Sequence, residues 1–183
     1  MTDRIPLEGI GEERREPRVV VGVDGSAGGR AALLFALHDA ARRGLPVEAV
    51  SAYLPPDYWM DFYAMGIKAP DHARTAAEQR VHTVLAEVLP QGPQPSPPVT
   101  VRVELGSAAD ALIRASSGAD LLVVGSRGHG GFTSMLLGSV SMQCVMHAVC
   151  PVTVVHSAEA HRERLHLRRT RHVSAARVGM PVL

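Results

Sequence analysis

Short apolar runs separated by polar stretches set the pattern of this chain. The first, residues 18–23, is a continuous run rich in valine, and such runs predict strands that are covered on both faces, as in a parallel sheet. Further strands are predicted over residues 46–53, 120–124 and 151–155. In residues 99–104 apolar and polar positions alternate, which predicts a strand with one more exposed face, as at the edge of a sheet.

Between these runs, apolar residues recur at helical spacing and predict helices over residues 30–43, 72–89, 108–117 and 139–149. The apolar positions of the first helix are Ala31, Leu34, Phe35, Leu37 and Ala41, and those of the second include Ala77, Val81, Val84, Leu85 and Val88. Strand and helix therefore alternate. This order predicts a doubly wound α/β fold with a parallel sheet, helices on both faces and right-handed crossovers.

Composition fits a single globular domain with a segment at each end. The chain has 183 residues and a formal net charge of +1, so neither nucleic acid nor a membrane surface is favoured as a partner. Residues 1–17 are predicted to be a disordered lead-in. The tail, residues 157–183, has six arginines and two glutamates, hence a formal charge of +4, and is expected to be flexible, with a polyanion-binding arm as the alternative.

Cellular location is predicted from features that the sequence lacks. No apolar leader and no run of about eighteen apolar residues is visible, so we expect a cytoplasmic protein. The two cysteines, Cys144 and Cys150, have no metal-site spacing and are expected to be reduced, apolar residues.

A glycine-rich stretch, residues 125–138, follows the fourth predicted strand. Ligands of open α/β sheets bind at the carboxyl ends of the strands, where the strand order reverses. Glycines allow backbone amides to approach an anion closely, and the following helix offers unpaired amides at Ser139. The stretch contains no lysine and does not fit the P-loop pattern or the dinucleotide fingerprint. It predicts a phosphate-binding loop of another kind.

The spacing of that loop is specific. Gly125, two residues, Gly128, nine residues and then Gly138-Ser139 resemble the G-x2-G-x9-G-[ST] motif of the ATP-binding universal stress proteins. Residues 19–26, 121–128, 136–141 and 150–155 resemble the first strand, the fourth strand and loop, the last helix and the last strand of that family. The resemblance covers residues 18–156, as one nucleotide-binding domain, and leaves out both tails.

The resemblance implies a Rossmann-like three-layer sandwich with strand order 3-2-1-4-5 and a nucleotide across the first and fourth strands. It implies that Gly22, Val23 and Asp24 border the ribose and adenine, and that Ala52 or its neighbours line the adenine pocket. The residues implied around the ribose and phosphates are Val124, Gly125, Gly128, Gly138, Ser139 and Val140. It also implies a homodimer formed through Val152–Val155, an apolar edge that would otherwise be unpaired.

Individual side chains keep two interpretations. Asp24 is a candidate for a ribose hydroxyl or a metal ion, or it forms a turn before Gly25. Arg127 either neutralises phosphate or faces solvent, and His129 is a weaker candidate for a γ-phosphate contact or a base.

ATP, accompanied by Mg²⁺, is therefore the expected ligand. The leading hypothesis is a stress-response sensor or switch, read by an unknown signalling partner, with slow or no hydrolysis, since no loop lysine and no obvious base is present. The alternatives are a genuine ATPase or nucleotide hydrolase, and a dimeric interaction module whose loop is empty.

Overall fold

The computed structural model describes residues 17–54, 70–128 and 137–157. It contains five strands, β1 (Val19–Gly22), β2 (Val47–Tyr53), β3 (Val99–Leu105), β4 (Leu121–Gly125) and β5 (Val152–Val155). The helices are α1 (Ala27–Arg43), α2 (Pro70–Val88), α3 (Ala108–Ala115) and α4 (Ser139–His147), and a 3₁₀ turn, Leu89–Gln91, follows α2. Strands and helices alternate along the chain as the sequence pattern predicts.

The five strands form one parallel sheet in the order β3-β2-β1-β4-β5. This confirms the expected fold class and strand order. The chain runs outward from β1 to β3 and then crosses back to β4, so the order reverses between β1 and β4. The carboxyl ends of these two neighbouring strands, Gly22 and Gly125, therefore lie at the switch point where open α/β sheets bind ligands.

Each face of the sheet has its own core, because successive strand residues point to opposite faces. Val19, Val21 and Val23 pack with α1 and α2 on one face. On the other face, Val20 packs with α3 and with Cys144 of α4. The five apolar positions predicted for α2 are all buried, which confirms the face assigned to that helix.

Of the apolar positions predicted for α1, only Leu37 is buried in the core. The buried apolar residues are Ala32, Leu33, Ala36, Leu37 and Ala40, whereas Leu34 and Phe35 are only partly buried and Ala41 is exposed. The helix is apolar on several sides, so periodicity alone does not select the side that meets the sheet. It also begins at Ala27, because Ser26 caps it by accepting a hydrogen bond from the Gly29 amide.

The edge position predicted for β3 is confirmed. Charged side chains cover the face of β3 that lies on the α3 side of the sheet. Glu48 pairs with Arg18 (2.6 Å) and Arg102 (3.4 Å), while Glu104 pairs with Arg102 and with Arg114 of α3 (2.5 Å). Charged side chains of this kind discourage a second chain from adding to the sheet at β3.

Several predicted features lie outside the described residues. They are residues 1–16 of the lead-in, residues 129–136 of the loop, which include His129, and residues 158–183 of the tail.

Candidate functional site

A cavity of about 480 Å³ opens at the carboxyl ends of β1, β2 and β4. All the residues that the sequence assigned to a nucleotide site line it: Gly22, Val23, Asp24, Ala52, Val124, Gly125, Arg127, Gly128, Gly138, Ser139 and Val140. The lining also includes Ser51, the neighbour of Ala52, and residues that the sequence did not single out: Gly29, Val50, Arg80, Ala108, Leu112, Leu137 and Ser141. The volume lies within the range of small-molecule sites, roughly 300–1,000 Å³.

The end of β4 and the first turn of α1 approach so closely that only glycine fits. A Cβ on Gly125 would lie 2.6 Å from the carbonyl carbon of Gly28, and a Cβ on Gly28 would overlap the carbonyl oxygen of Arg127. These contacts involve backbone atoms, which cannot move aside as a flexible side chain does. The glycine pair therefore holds the β4 loop against α1 at the back of the cavity.

Asp24 lies between that loop and α1. Its Oδ1 accepts hydrogen bonds from the Ser26 amide (2.9 Å) and the Ser26 hydroxyl (2.6 Å), which is the hydrogen bonding of a side chain that forms a turn. A Cβ on Gly128 would overlap Oδ2 of the same carboxylate. Asp24 thus stabilises the turn into α1 and also presents a negative charge to the cavity, so the two interpretations of this residue are compatible.

Helix α4 packs on the face of the sheet opposite α1, and its first residues line the cavity. Gly138 is its N-cap and Ser139 is its first helical residue. The Gly138 amide donates to the carbonyl of Ser126 (2.9 Å), and the Ser141 hydroxyl donates to the carbonyl of Gly125 (2.6 Å). Both bonds tie the first turn of α4 to the end of β4.

Three amides in that first turn are available to a ligand. A helix provides no internal acceptor for the amides of Ser139, Val140 and Ser141, and none of them donates to another described residue. All three residues line the cavity. Their N–H groups and the positive end of the helix dipole favour an anion at this point.

The other end of the cavity is apolar. Val50 and Ala52 of β2 and Ala108 and Leu112 of α3 form its wall. A Cβ on Gly22 would lie 3.0 Å from a methyl group of Leu112, so glycine at the end of β1 leaves space above the sheet. This arrangement suits a flat apolar group, whereas the α4 end suits an anion.

The charged residues that line the cavity within the described ranges are Asp24, Arg80 and Arg127. Among the residues that the structure describes, no cluster of three histidine, cysteine or carboxylate side chains could hold a metal ion. His129 lies outside them, so its suggested contact with a phosphate stays a prediction.

Sequence reasoning missed the supporting glycines and Arg80. Gly28 and Gly29 precede the helix predicted over residues 30–43 and were not singled out, although a glycine pair just after a strand is a signal of close backbone approach. Arg80 has no signal in the sequence, because its position relative to the cavity depends on how α2 packs.

The cysteines are free, as expected. Burial raises the pKa of the Cys144 thiol to about 11 and raises that of Cys150 as well. Neither residue lines the cavity. Searched over residues 17–54, 70–128 and 137–157, the fold contains no helix with the length and apolarity needed to span a bilayer.

Comparison with known proteins places this fold in a family. Residues 17–156 match the model of the universal stress protein family. The universal stress protein Rv2005c of Mycobacterium tuberculosis is 38% identical over 143 residues, which are 76% of this chain and 45% of that protein. The universal stress protein Rv2623 of the same organism is 32% identical over 146 residues, 78% of this chain and 48% of that protein. The chain thus spans about half the length of these curated relatives.

Solved structures show the same fold. The universal stress protein UspA from Lactobacillus plantarum superposes with a TM-score of 0.60 at 19% identity, over 77% of this chain and 98% of that one. A universal stress protein in complex with cAMP gives 0.57 at 24% identity, over 79% and 99% of the two chains. One from Archaeoglobus fulgidus in complex with dAMP gives 0.52 at 20% identity, over 76% and 98%. The match of sequence and fold over residues 17–156 shows that this chain belongs to the universal stress protein family.

Proposed function

We propose that this chain is a cytoplasmic ATP-binding universal stress protein that acts as a sensor or switch and hydrolyses ATP slowly or not at all. The observation that carries the proposal is the cavity at the β1/β4 switch point. It joins an apolar wall to three helix-terminal amides, at Ser139, Val140 and Ser141, that have no acceptor among the described residues.

The two ends of the cavity match the two parts of a nucleotide. Adenine is flat and largely apolar, and it fits the wall formed by Ala52, Val50 and Leu112. Phosphates fit the amides of the α4 terminus and the backbone of Gly125 and Gly128, where backbone N–H groups and the helix dipole favour negative charge. Two solved relatives, in complex with cAMP and with dAMP, make an adenine nucleotide a reasonable ligand class for this chain.

Mg²⁺ would accompany ATP at the phosphate end. Magnesium at such sites is commonly held by one or two carboxylates together with substrate phosphates, and Asp24 is the carboxylate that lines this cavity. The ion would screen phosphate charge beside that carboxylate. We expect ATP affinity to fall when magnesium is withdrawn and to recover when it is restored.

The preference for a switch over an enzyme rests on the cavity lining. The charged side chains of the described lining are one carboxylate and two arginines, and Asp24 already accepts two hydrogen bonds from Ser26 at Oδ1. Fast phosphoryl transfer to water requires a group that positions the nucleophile, and the described lining supplies no evident candidate beyond Asp24.

Calorimetric titration with ATP and Mg²⁺, followed by a phosphate-release assay, tests both parts of the proposal. We expect saturable binding and little release. Turnover above about one per second, the range of competent enzymes, would refute the switch and favour an ATPase. No heat signal at millimolar ATP, with no nucleotide copurifying, would favour the empty interaction module.

Homodimerisation through Val152–Val155 is part of the proposal. This edge strand has no charged residue, unlike β3 at the other edge. Next to it, α4 exposes Met142, Val145 and Met146 on one side, so an apolar surface continues from the edge strand. A second copy that pairs with β5 would cover both.

Proline substitution tests the dimer without removing a hydrogen bond between β4 and β5. The carbonyls of Pro151 and Val155 face β4, where they accept from Leu122 and Ser126; the alternation of a strand then directs the Val154 amide outward. Val154→Pro removes an outward donor at an edge, where proline is tolerated. In sedimentation experiments we expect a dimeric wild type and a folded monomeric variant. A wild type that is monomeric at high concentration would refute the pairing.

A further inference from the structure

Arg80 is a charged residue of the cavity that neither the family motif nor the rest of the sequence pattern singled out. It lies on α2, on the face of the sheet opposite α3 and α4, yet its side chain lines the same cavity as Asp24 and Gly138. The cavity therefore extends over the end of the sheet toward α2. Any ligand that fills it meets a cation from that side.

Among the described residues, no hydrogen-bond or ion-pair partner neutralises the positive charge of Arg80. In the described ranges it is the one arginine for which the structure shows no hydrogen bond or ion pair; the others have an ion pair or another polar interaction. Two carboxylates of α2 are already paired with other arginines. Glu78 pairs with Arg74 at 2.9 Å, and Glu87 pairs with Arg30 at 2.7 Å.

Its own helix offers Arg80 no acidic neighbour. The residues three and four positions away on either side are Ala77, Ala76, Thr83 and Val84, and only residues at those spacings lie beside it on the helix surface. A guanidinium with an open set of donors at the wall of a cavity is suited to bidentate binding of a phosphate or carboxylate.

We propose that Arg80 is a specificity-determining residue that binds an anionic group of the ligand from the α2 side, so that the site favours nucleotides over the corresponding nucleoside. This inference rests on the proposed function. It adds a cation that the glycine-loop motif does not encode, opposite the amides of α4. Together with Arg127 it gives the described part of the lining two cations against one carboxylate, Asp24.

Arg80→Gln removes the charge and keeps much of the side chain. We expect the dissociation constant for ATP to rise about tenfold, while the affinity for adenosine stays within about twofold of the wild type. The matched control is Arg74→Gln, which removes an arginine from the same helix at a position that does not line the cavity; its ATP affinity is expected to be that of the wild type. Thermal unfolding of both variants shows whether α2 is intact.

Calorimetry with ATP, adenosine and inorganic tripolyphosphate separates the outcomes. Unchanged ATP affinity in Arg80→Gln, or an equal loss for ATP and adenosine, overturns the anion contact. If the wild type binds tripolyphosphate but no nucleotide, the proposed function fails, and a loss of tripolyphosphate binding in Arg80→Gln still supports the contact. If the wild type binds neither ATP nor tripolyphosphate, both proposals fail.

Discussion

Gly138→Val is the substitution that tests the nucleotide site with the least disturbance of the fold. A Cβ at Gly138 would lie 3.6 Å from Cα of Arg127 and 3.7 Å from the carbonyl oxygen of Ser126, which are ordinary van der Waals distances. The backbone there is extended, with φ −73° and ψ 162°, so valine adopts it without strain. Valine is a poorer N-cap than glycine, and we expect a stability loss of about 1 kcal/mol.

The effect on binding is expected to be much larger. The new methyl groups would enter the space in front of the Ser139 and Val140 amides, where the phosphates are proposed to lie. A hydrogen bond to a charged group contributes about 1.5–3 kcal/mol. Loss of two such bonds amounts to about 3–6 kcal/mol, and each 1.4 kcal/mol is about tenfold in affinity. We therefore expect ATP to bind at least about 100-fold more weakly.

Calorimetry measures the affinity, and thermal unfolding followed by circular dichroism measures the fold. Gly138→Ala is the graded comparison, because it changes the same cap and fills less space. Gly125→Ala is the contrasting variant: its Cβ would lie 2.6 Å from the Gly28 backbone, so we expect it to lower stability by about 1–3 kcal/mol. A folded Gly138→Val variant with wild-type ATP affinity would refute the site.

Two further predictions concern ionisation. Burial alone would raise the pKa of Glu104, but the Arg114 hydrogen bond and the charges of Arg102 and Arg114 outweigh it and lower that pKa. The ionised Glu104 should contribute its full stabilisation near neutral pH and lose it as the pH falls through the lowered pKa. The difference in unfolding free energy between wild type and Glu104→Gln should therefore shrink on acidification. A difference that stays constant with pH in urea unfolding would contradict this. Cys144, 0% exposed and with a pKa raised to about 11, should react with iodoacetamide at neutral pH only on unfolding; rapid alkylation of the native protein, located by peptide mass spectrometry, would contradict its burial.

Much of this fold could be predicted from local patterns. The apolar runs identify β1, β2, β4 and β5, because a strand buried on both faces needs apolar residues at successive positions. Alternation in β3 identifies the edge, and the spacing of apolar residues in α2 identifies its buried face. The loop glycines and the residues after β1 were assigned to a common site before the structure brought them together around one cavity.

Other features were decided by the tertiary structure alone. Helix α1 is apolar on several sides, so only its packing against β1 and β4 selected Leu33, Ala36 and Leu37 as the core face. The closeness of Gly28 to Gly125 depends on two segments that lie far apart in sequence. Local periodicity determines which elements form, because it acts between near neighbours in the chain. Which residues of different elements meet, as Arg80 meets the cavity at the end of the sheet, depends on how those elements pack.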